Sequence, residues 1–275
     1  MLNISKDKRR IVDLKSYTLQ NTIYKVLQVV VSISSFVGVV LFLKYIHWDI
    51  GIRFSYVPDV QTIVSELLDI ITQVEFYNNI IISLGRVYCG FLLAAVIAIP
   101  TAVFIVENSK IKYLLHPIIE LIRPIPNVAW VPLSIILFKT VSGSILFITF
   151  IGAFFPILIN SIEGLEHVNT NYIKIAKSFK VSTKEMVLGV KLPAAASNIF
   201  TGLLVGMSGS WLGVVVAEMI GGQSGIGYLT WVNYTMVNMS GVIVCMFVIG
   251  ALGAMSSWIL RKLYKMLHFE MRTEL

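Results

Sequence analysis

Residues 143–162 read GSILFITFIGAFFPILINSI, twenty consecutive positions without a charged side chain. A helix of about 20 apolar residues is long enough to cross the hydrocarbon core of a bilayer, which is about 30 Å thick. Five further stretches are similarly apolar, at residues 24–46, 79–106, 111–138, 195–220 and 238–260. We therefore predict an all-α polytopic membrane protein with six transmembrane helices.

The composition supports this class. Of the 275 residues, 56% are hydrophobic and only 13% are charged, whereas soluble domains carry about 25% charged residues. An ordinary soluble enzyme and a small disulfide-stapled domain are therefore excluded. The net charge of +7 does not indicate a nucleic-acid partner, because the basic residues lie in the gaps between the apolar stretches. The expected surroundings are a lipid bilayer.

Lysine and arginine are unevenly distributed between the two sides of the predicted helices. If the N-terminus is cytoplasmic, the cytoplasmic segments hold 17 of the 22 basic residues and the outer segments hold three. The positive-inside rule then places both termini in the cytoplasm. This predicts an N-terminal segment at 1–23, a six-helix membrane domain at 24–265 with a cytoplasmic loop at 163–194, and a cytoplasmic tail at 266–275.

The outer segment 47–78 contains an amphipathic pattern, with three carboxylates opposite a row of apolar residues. The apolar residues recur at helical spacing and are Val60, Ile63, Val64, Leu67, Leu68 and Ile71. We expect a helix that either lies on the outer membrane face or packs against another helix.

The cytoplasmic loop is long enough to fold. Residues 172–179 have helical periodicity, and Ser182 followed by Glu185 matches the capping box that begins a second helix. That helix is predicted to run to Leu192 and to break at Pro193. Two short helices joined by a tight turn form a knob, which we interpret as a docking surface for another protein.

Three prolines within nine positions interrupt the apolar stretch at 111–138, namely Pro124, Pro126 and Pro132. Each proline removes a backbone donor, so a broken helix is predicted. Such breaks are tolerated at membrane depth where protein buries them or where they line a wet cavity. Arg123 and Trp130 are therefore candidate pathway or structural residues, and Arg123 is equally able to pair with Glu120 on its own helix.

Glu218 and Trp211 are two further candidate pathway or structural residues, in the stretch 195–220. The Glu218 carboxylate either contacts substrate or has a structural role, as a partner of Arg86 or as a cap of the following loop. The structural role is the favoured interpretation. Arg86 itself is expected to snorkel outward, so that its charged head reaches water, as long basic side chains do.

Small residues recur three or four positions apart in the same stretch, at Gly202, Gly206, Gly209 and Gly213. This spacing lets membrane helices approach closely, so we predict tight packing within the chain or across a dimer. A pathway lined by glycine backbone is the alternative.

Motifs of catalysis are missing from the sequence. It contains no phosphate-binding loop of the pattern G-x-x-x-x-G-K-[ST], no H-E-x-x-H and no G-x-S-x-G, and its four histidines lie in different segments. We expect no catalytic residue, no metal site and no cofactor on this chain.

Five motifs carry a resemblance to one transport family. They are Ser83-Leu84-Gly85-Arg86-Val87, Arg123-Pro124-Ile125-Pro126 with Ala129-Trp130-Val131-Pro132-Leu133, Gly152-Ala153-Phe154-Phe155-Pro156, Ala217-Glu218, and Ser224-Gly225-Ile226-Gly227-Tyr228-Leu229. In this order, over about residues 56–260, they resemble the permease subunits of binding-protein-dependent ABC importers. The resemblance is to the group for nitrate, sulfonates, taurine and bicarbonate.

The resemblance implies the type I ABC importer permease fold in a bacterial plasma membrane. It implies a second permease subunit, in a homodimer that encloses the pathway for a small anionic solute. It also implies two ATPase subunits that hold ATP and magnesium, and an extracytoplasmic binding protein that delivers the solute. A secondary transporter or channel is the alternative, although few ionisable residues lie in the spans and no internal repeat is evident.

The cytoplasmic loop resembles the EAA loop of these permeases, whose pattern falls on Ala176, Lys180, Leu192 and Pro193. With Phe179 as an apolar anchor, these residues are the candidate coupling surface for the ATPase. The family pattern has glycine at Lys180, so Lys180 must adopt an ordinary turn or a strained one.

Overall fold

Residues 58–273 are described by the computed structural model, with side chains up to Met266, together with three isolated helical positions, Leu27, Val31 and Ser34. The chain divides into two units, residues 1–54 and 55–275, and the helices named below belong to the second unit. Apart from the three isolated positions, the predicted N-terminal segment and first membrane helix lie outside the described residues.

All regular structure in the described part of the second unit is helical. The α-helices are α1 (Val60–Ile70), α2 (Val74–Glu107), α3 (Ser109–Ile122), α4 (Val131–Leu137), α5 (Val141–Glu166), α6 (Thr170–Ser178), α7 (Thr183–Met186), α8 (Leu192–Gly221), α9 (Ile226–Thr235) and α10 (Met239–Thr273). A 3-10 turn at Asn127–Trp130 precedes α4, and a π turn at Val187–Lys191 joins α7 to α8.

Four helical stretches in this part are long and apolar enough to cross a membrane: α2, α5, the continuous stretch Thr183–Gly221 that contains α8, and α10. They coincide with the predicted spans at 79–106, 143–162, 195–220 and 238–260. The multi-pass, all-α architecture is therefore confirmed.

The predicted span at 111–138 is divided into two pieces. Helix α3 and the stretch Asn127–Leu137 together are apolar enough for one span, but they meet at a bend of 96°. The break falls at Pro124 and Pro126, as expected for residues that lack a backbone donor. The described residues thus hold four continuous spans and one broken one.

Helices α5 and α8 form the most extensive helix pair, and α2 packs against both. The glycines of α8 face α5: a β-carbon on Gly202 would lie 2.9 Å from the Asn160 β-carbon, and one on Gly206 would lie 2.9 Å from Ile157 Cγ1. Small residues allow such close approach between membrane helices. The glycine row therefore packs within the chain.

Pro193 does not break the second helix of the loop 163–194, so that prediction is wrong. The helix continues from α7 through the π turn into α8, where Pro193 occupies the first turn. A proline is tolerated there because the π turn directly before it already interrupts the regular i→i−4 hydrogen bonding. The knob is consequently joined to a core helix without an intervening loop.

The amphipathic helix α1 packs against α10. Ile70 is buried, Ile63 is half-buried, and Glu66 Oε1 accepts a hydrogen bond from the Asn238 amide at 2.8 Å. Packing against another helix, one of the two expected arrangements, is therefore observed on this face of α1.

Candidate functional site

A buried polar cluster joins α2 to the C-terminal end of α8. Asn79, Ser83 and Arg86 share one face of α2 because they are spaced four and three residues apart. Glu218 of α8 is fully buried, and its Oε1 lies 2.7 Å from Arg86 Nη1. The Ser83 hydroxyl donates to Glu218 Oε2 at 2.8 Å. The carboxylate therefore meets a cation and a donor inside the protein.

The same side chains cap the N-terminus of α9. The Gly225 N–H donates to Asn79 Oδ1 at 2.6 Å, and the Ile226 N–H donates to Ser83 Oγ at 2.8 Å. The Gly227 N–H donates to Glu218 Oε2 at 3.0 Å. The first N–H groups of a helix have no partner within it, and here other helices supply the acceptors.

Two glycines make this approach possible. Gly225 has a φ of +108°, and a β-carbon there would overlap the Glu218 carboxylate. At Gly227 a β-carbon would lie 2.6 Å from the Val215 carbonyl oxygen. A larger residue at either position would push α9 away from its caps.

Arg86 does not snorkel outward to water, which corrects that expectation. Its Nη1 also donates to the Ser224 carbonyl at 2.7 Å, and its Nη2 donates to the Ser224 hydroxyl at 3.1 Å. The side chain is 13% exposed. The ion pair with Glu218 and two hydrogen bonds to Ser224, one to its carbonyl and one to its hydroxyl, hold the guanidinium inside the protein.

Both structural contacts considered for Glu218 are present together, the pair with Arg86 and the cap of the following segment. Trp211 is also held internally, because its indole N–H donates to the Ser256 hydroxyl at 3.2 Å. These two candidates lie in packed interfaces between helices. Asn79 and Ser83 were not among the predicted site residues, although their spacing from Arg86 was a readable signal.

The broken span places Arg123 and Trp130 differently. Arg123 Nη1 lies 3.2 Å from Glu120 Oε1, and both side chains are half exposed. Trp130 is partly buried, and its indole N–H has no hydrogen-bond partner in the described part of the chain. Asn127, which sequence reasoning missed, donates from its amide to the Gly209 carbonyl at 3.4 Å.

Two cavities flank the broken span. One, of about 410 Å³ between α3 and α5, is lined by charged and imidazole side chains: Lys112, His116, Glu120, Arg123, Glu163, Glu166 and His167. Lys112 Nζ lies 2.6 Å from Glu166 Oε1. The other, of about 220 Å³ between α4, α5 and α8, has Lys139 as its one charged lining residue among those described. No group of three His, Cys, Asp or Glu in the described residues is arranged to hold a metal ion.

The knob predicted in the loop 163–194 consists of α6, α7 and the turn between them. The predicted capping box is present, since the Glu185 N–H donates to Ser182 Oγ at 3.3 Å and the Ser182 N–H donates to Glu185 Oε2 at 2.7 Å. Lys191 of the π turn forms an ion pair with Glu107 at the end of α2. The knob is thus fastened to two core helices.

The candidate coupling residues lie in different environments. Ala176 is buried against the π turn in a groove that includes Gly189 and Val190. Phe179 is 77% exposed. Lys180 has a φ of +54°, in the left-handed region that glycine adopts without cost. Of the two alternatives for Lys180, the structure shows the strained one.

The chain is similar in sequence to several known membrane transport proteins. Residues 90–272 match the family model of binding-protein-dependent transport system inner membrane components. A putative ABC transporter permease of Methanocaldococcus jannaschii is 40% identical over 71% of this chain and 75% of its own. The bicarbonate transport permease CmpB of Synechococcus elongatus is 34% identical over 66% and 69%. The nitrate import permease NrtB of Leptolyngbya laminosa is 35% identical over 66% and 65%.

A solved structure shows the same fold. The chain of the inward-facing MetNI methionine ABC transporter aligns with a TM-score of 0.58 at 15% identity, over 69% of this chain and 94% of its own. Together with the apolar helices, these matches describe a multi-pass protein of the bacterial plasma membrane with the type I importer permease fold. The chain belongs to the family of binding-protein-dependent transport system inner membrane components, in the ABC importer group that includes nitrate, bicarbonate and sulfonate permeases.

Proposed function

We propose that the chain is the membrane subunit of an ATP-driven importer and that two copies enclose the pathway for a small oxyanion. Partner ATPase subunits hold the ATP and magnesium, and an extracytoplasmic binding protein delivers the solute. This chain then performs no covalent chemistry. Nitrate, bicarbonate and sulfonates are the candidate solutes, because the relatives are named for them.

One observation carries the proposal: Phe179 stands exposed on a knob that runs into a core helix without a break. Because α7, the π turn and α8 form one helical stretch of 39 residues, a push on the knob reaches the glycine contacts with α5 through a continuous helix. An exposed aromatic side chain is a typical anchor at the centre of a protein interface. The ion pair of Lys191 with Glu107 passes the same displacement to α2.

The cavity of about 220 Å³ between α4, α5 and α8, here called the outer cavity, supports an anionic solute. Its walls are mostly apolar, and Lys139 is the one charged lining residue within the described chain. Lys139 is an exposed residue at the edge of this cavity, and its positive charge favours an anion over a cationic ligand, because opposite charges attract.

The experiment compares Phe179→Asp with Phe247→Ala in membranes that contain the complete transporter. Phe247 is similarly exposed but lies on α10, away from the knob. We expect Phe179→Asp to insert normally and to lose both ATPase co-purification and solute uptake, whereas Phe247→Ala retains them. Solute uptake by this chain in vesicles without an ATPase would overturn the proposal and establish a secondary transporter or channel.

A further inference from the structure

The segment 222–238, here called the outer hairpin, is held to the rest of the protein through its backbone. Three successive N–H groups, of Gly225, Ile226 and Gly227, donate to side chains of α2 and α8. A helix is usually capped by the residue that directly precedes it. Here two acceptors, Asn79 and Ser83, come from α2, more than 140 positions earlier, and the third, Glu218, comes from the preceding helix α8. Capping of α9 and attachment of the hairpin are therefore the same contact.

The charges at this contact are matched inside the protein. The Glu218 carboxylate accepts hydrogen bonds from Ser83, Arg86 and Gly227, and the Arg86 guanidinium also bonds the carbonyl and hydroxyl of Ser224. A buried ion pair of this kind tolerates little displacement, because separating its members leaves an uncompensated buried charge. The hairpin therefore has one favourable position against α2 and α8.

The outer cavity lies beside this contact. Ala217 and Gly221, the neighbours of Glu218 on α8, line the cavity of about 220 Å³ that also contains Lys139. The contacts that fix the position of Glu218 therefore also fix this wall of the cavity.

We propose that Asn79, Ser83, Arg86 and Glu218 are positioning residues that keep α2, the C-terminal end of α8 and the outer hairpin together as one rigid block throughout the transport cycle. Glu218 acts through its ionised carboxylate rather than through its bulk. This inference rests on the proposed function, because the ATP-driven cycle defines the states between which the block stays intact.

Hydrogen exchange followed by mass spectrometry tests the block directly, on the complete transporter in lipid nanodiscs, without nucleotide and with ATP plus vanadate. The amides of 225–227 exchange only when the hairpin leaves its acceptors. We expect equally slow exchange at these three amides in both states. Exchange that is about tenfold faster in one state, the equivalent of about 1.4 kcal/mol, would overturn the rigid block.

Single substitutions test whether these side chains hold the outer hairpin in place. Glu218→Gln is expected to speed exchange at 225–227 by about tenfold or more and to reduce uptake, because the amide cannot accept from both Arg86 and Gly227 in the way a carboxylate does. Ser210→Ala is the matched control, since it removes a buried bond between α8 and α5, from Ser210 Oγ to the Thr149 carbonyl, outside the cluster. Unchanged exchange in Glu218→Gln would contradict the proposal.

The role of the charge is tested with Glu218→Ala, in the presence and absence of sodium formate. Formate supplies a carboxylate in the space that the Glu218 side chain vacates, so we expect formate to restore slow exchange at 225–227. If exchange stays fast with formate, Glu218 does not act through its ionised carboxylate. If Glu218→Ala does not assemble, Ser83→Ala takes its place, because it removes the acceptor of Ile226 and leaves the ion pair. Slow exchange at Ile226 in Ser83→Ala would then refute the capping role. ATPase association, measured in the same preparations of the unaltered protein, reports separately on the proposed function.

Discussion

Gly209 of α8 and Gly152 of α5 lie in backbone contact where the two helices cross. A β-carbon on Gly209 would overlap the Gly152 carbonyl oxygen, and the Asn127 amide donates to the Gly209 carbonyl at the same place. One point of contact thus fixes the spacing of the two core helices and anchors the broken span. The importance of this contact is testable by single substitutions.

Gly209→Ala is expected to lower the free energy of unfolding by about 1–3 kcal/mol, because overpacking a close helix contact forces the backbones apart. Gly250→Ala is the control, since a β-carbon at Gly250 has nothing within 4 Å. Unfolding of the purified subunit in detergent, titrated with denaturant, measures the difference. Equal stability of the two variants would show that α5 and α8 do not meet through Gly209.

Lys180→Gly is expected to stabilise the protein by about 1 kcal/mol, because the left-handed conformation costs a residue with a β-carbon about 1–2 kcal/mol. Lys177→Gly, three residues earlier in α6, is expected to destabilise it by about 1 kcal/mol, since glycine is a poor helix former. Thermal unfolding of both variants distinguishes the two positions. A decrease in stability for Lys180→Gly would contradict the positive φ at this residue.

Ala176→Glu is expected to abolish ATPase co-purification and uptake while the subunit still inserts. The burial of Ala176 against the π turn supplies the reason, because a carboxylate there would be desolvated and would displace α6 from the turn. Lys177→Glu is the control, as Lys177 is the exposed neighbour. Normal ATPase association in Ala176→Glu would show that the packing of α6 against the π turn is not needed for coupling.

The orientation predicted from the basic residues is testable with single cysteines at Lys8, Lys177 and Lys265, in a background that lacks Cys89 and Cys245. An impermeant thiol reagent applied to intact cells is expected to leave all three unlabelled and to label a cysteine at Lys139, the outer position. Labelling at position 177 from outside would place the knob on the wrong side for an ATPase.

Local features of the fold were readable from the sequence. The four continuous spans, the break at Pro124 and Pro126, and the capping box of Ser182 and Glu185 all depend on residues that lie within a few turns of one another. Hydropathy, proline content and cap spacing report such features directly, because the interactions that produce them are local along the chain.

Only the tertiary structure decided which residues meet across helices. Arg86 and Glu218 are 132 positions apart, and nothing in either local pattern shows that both point toward the first turn of α9. The glycine row predicted close packing but not its partner, which is α5 of the same chain. The sequence wrongly predicts a break at Pro193, because the π turn that precedes Pro193 and lets the helix continue has no simple sequence pattern. Periodicity along one helix determines which side chains share a face, whereas the relative placement of several helices determines what that face contacts.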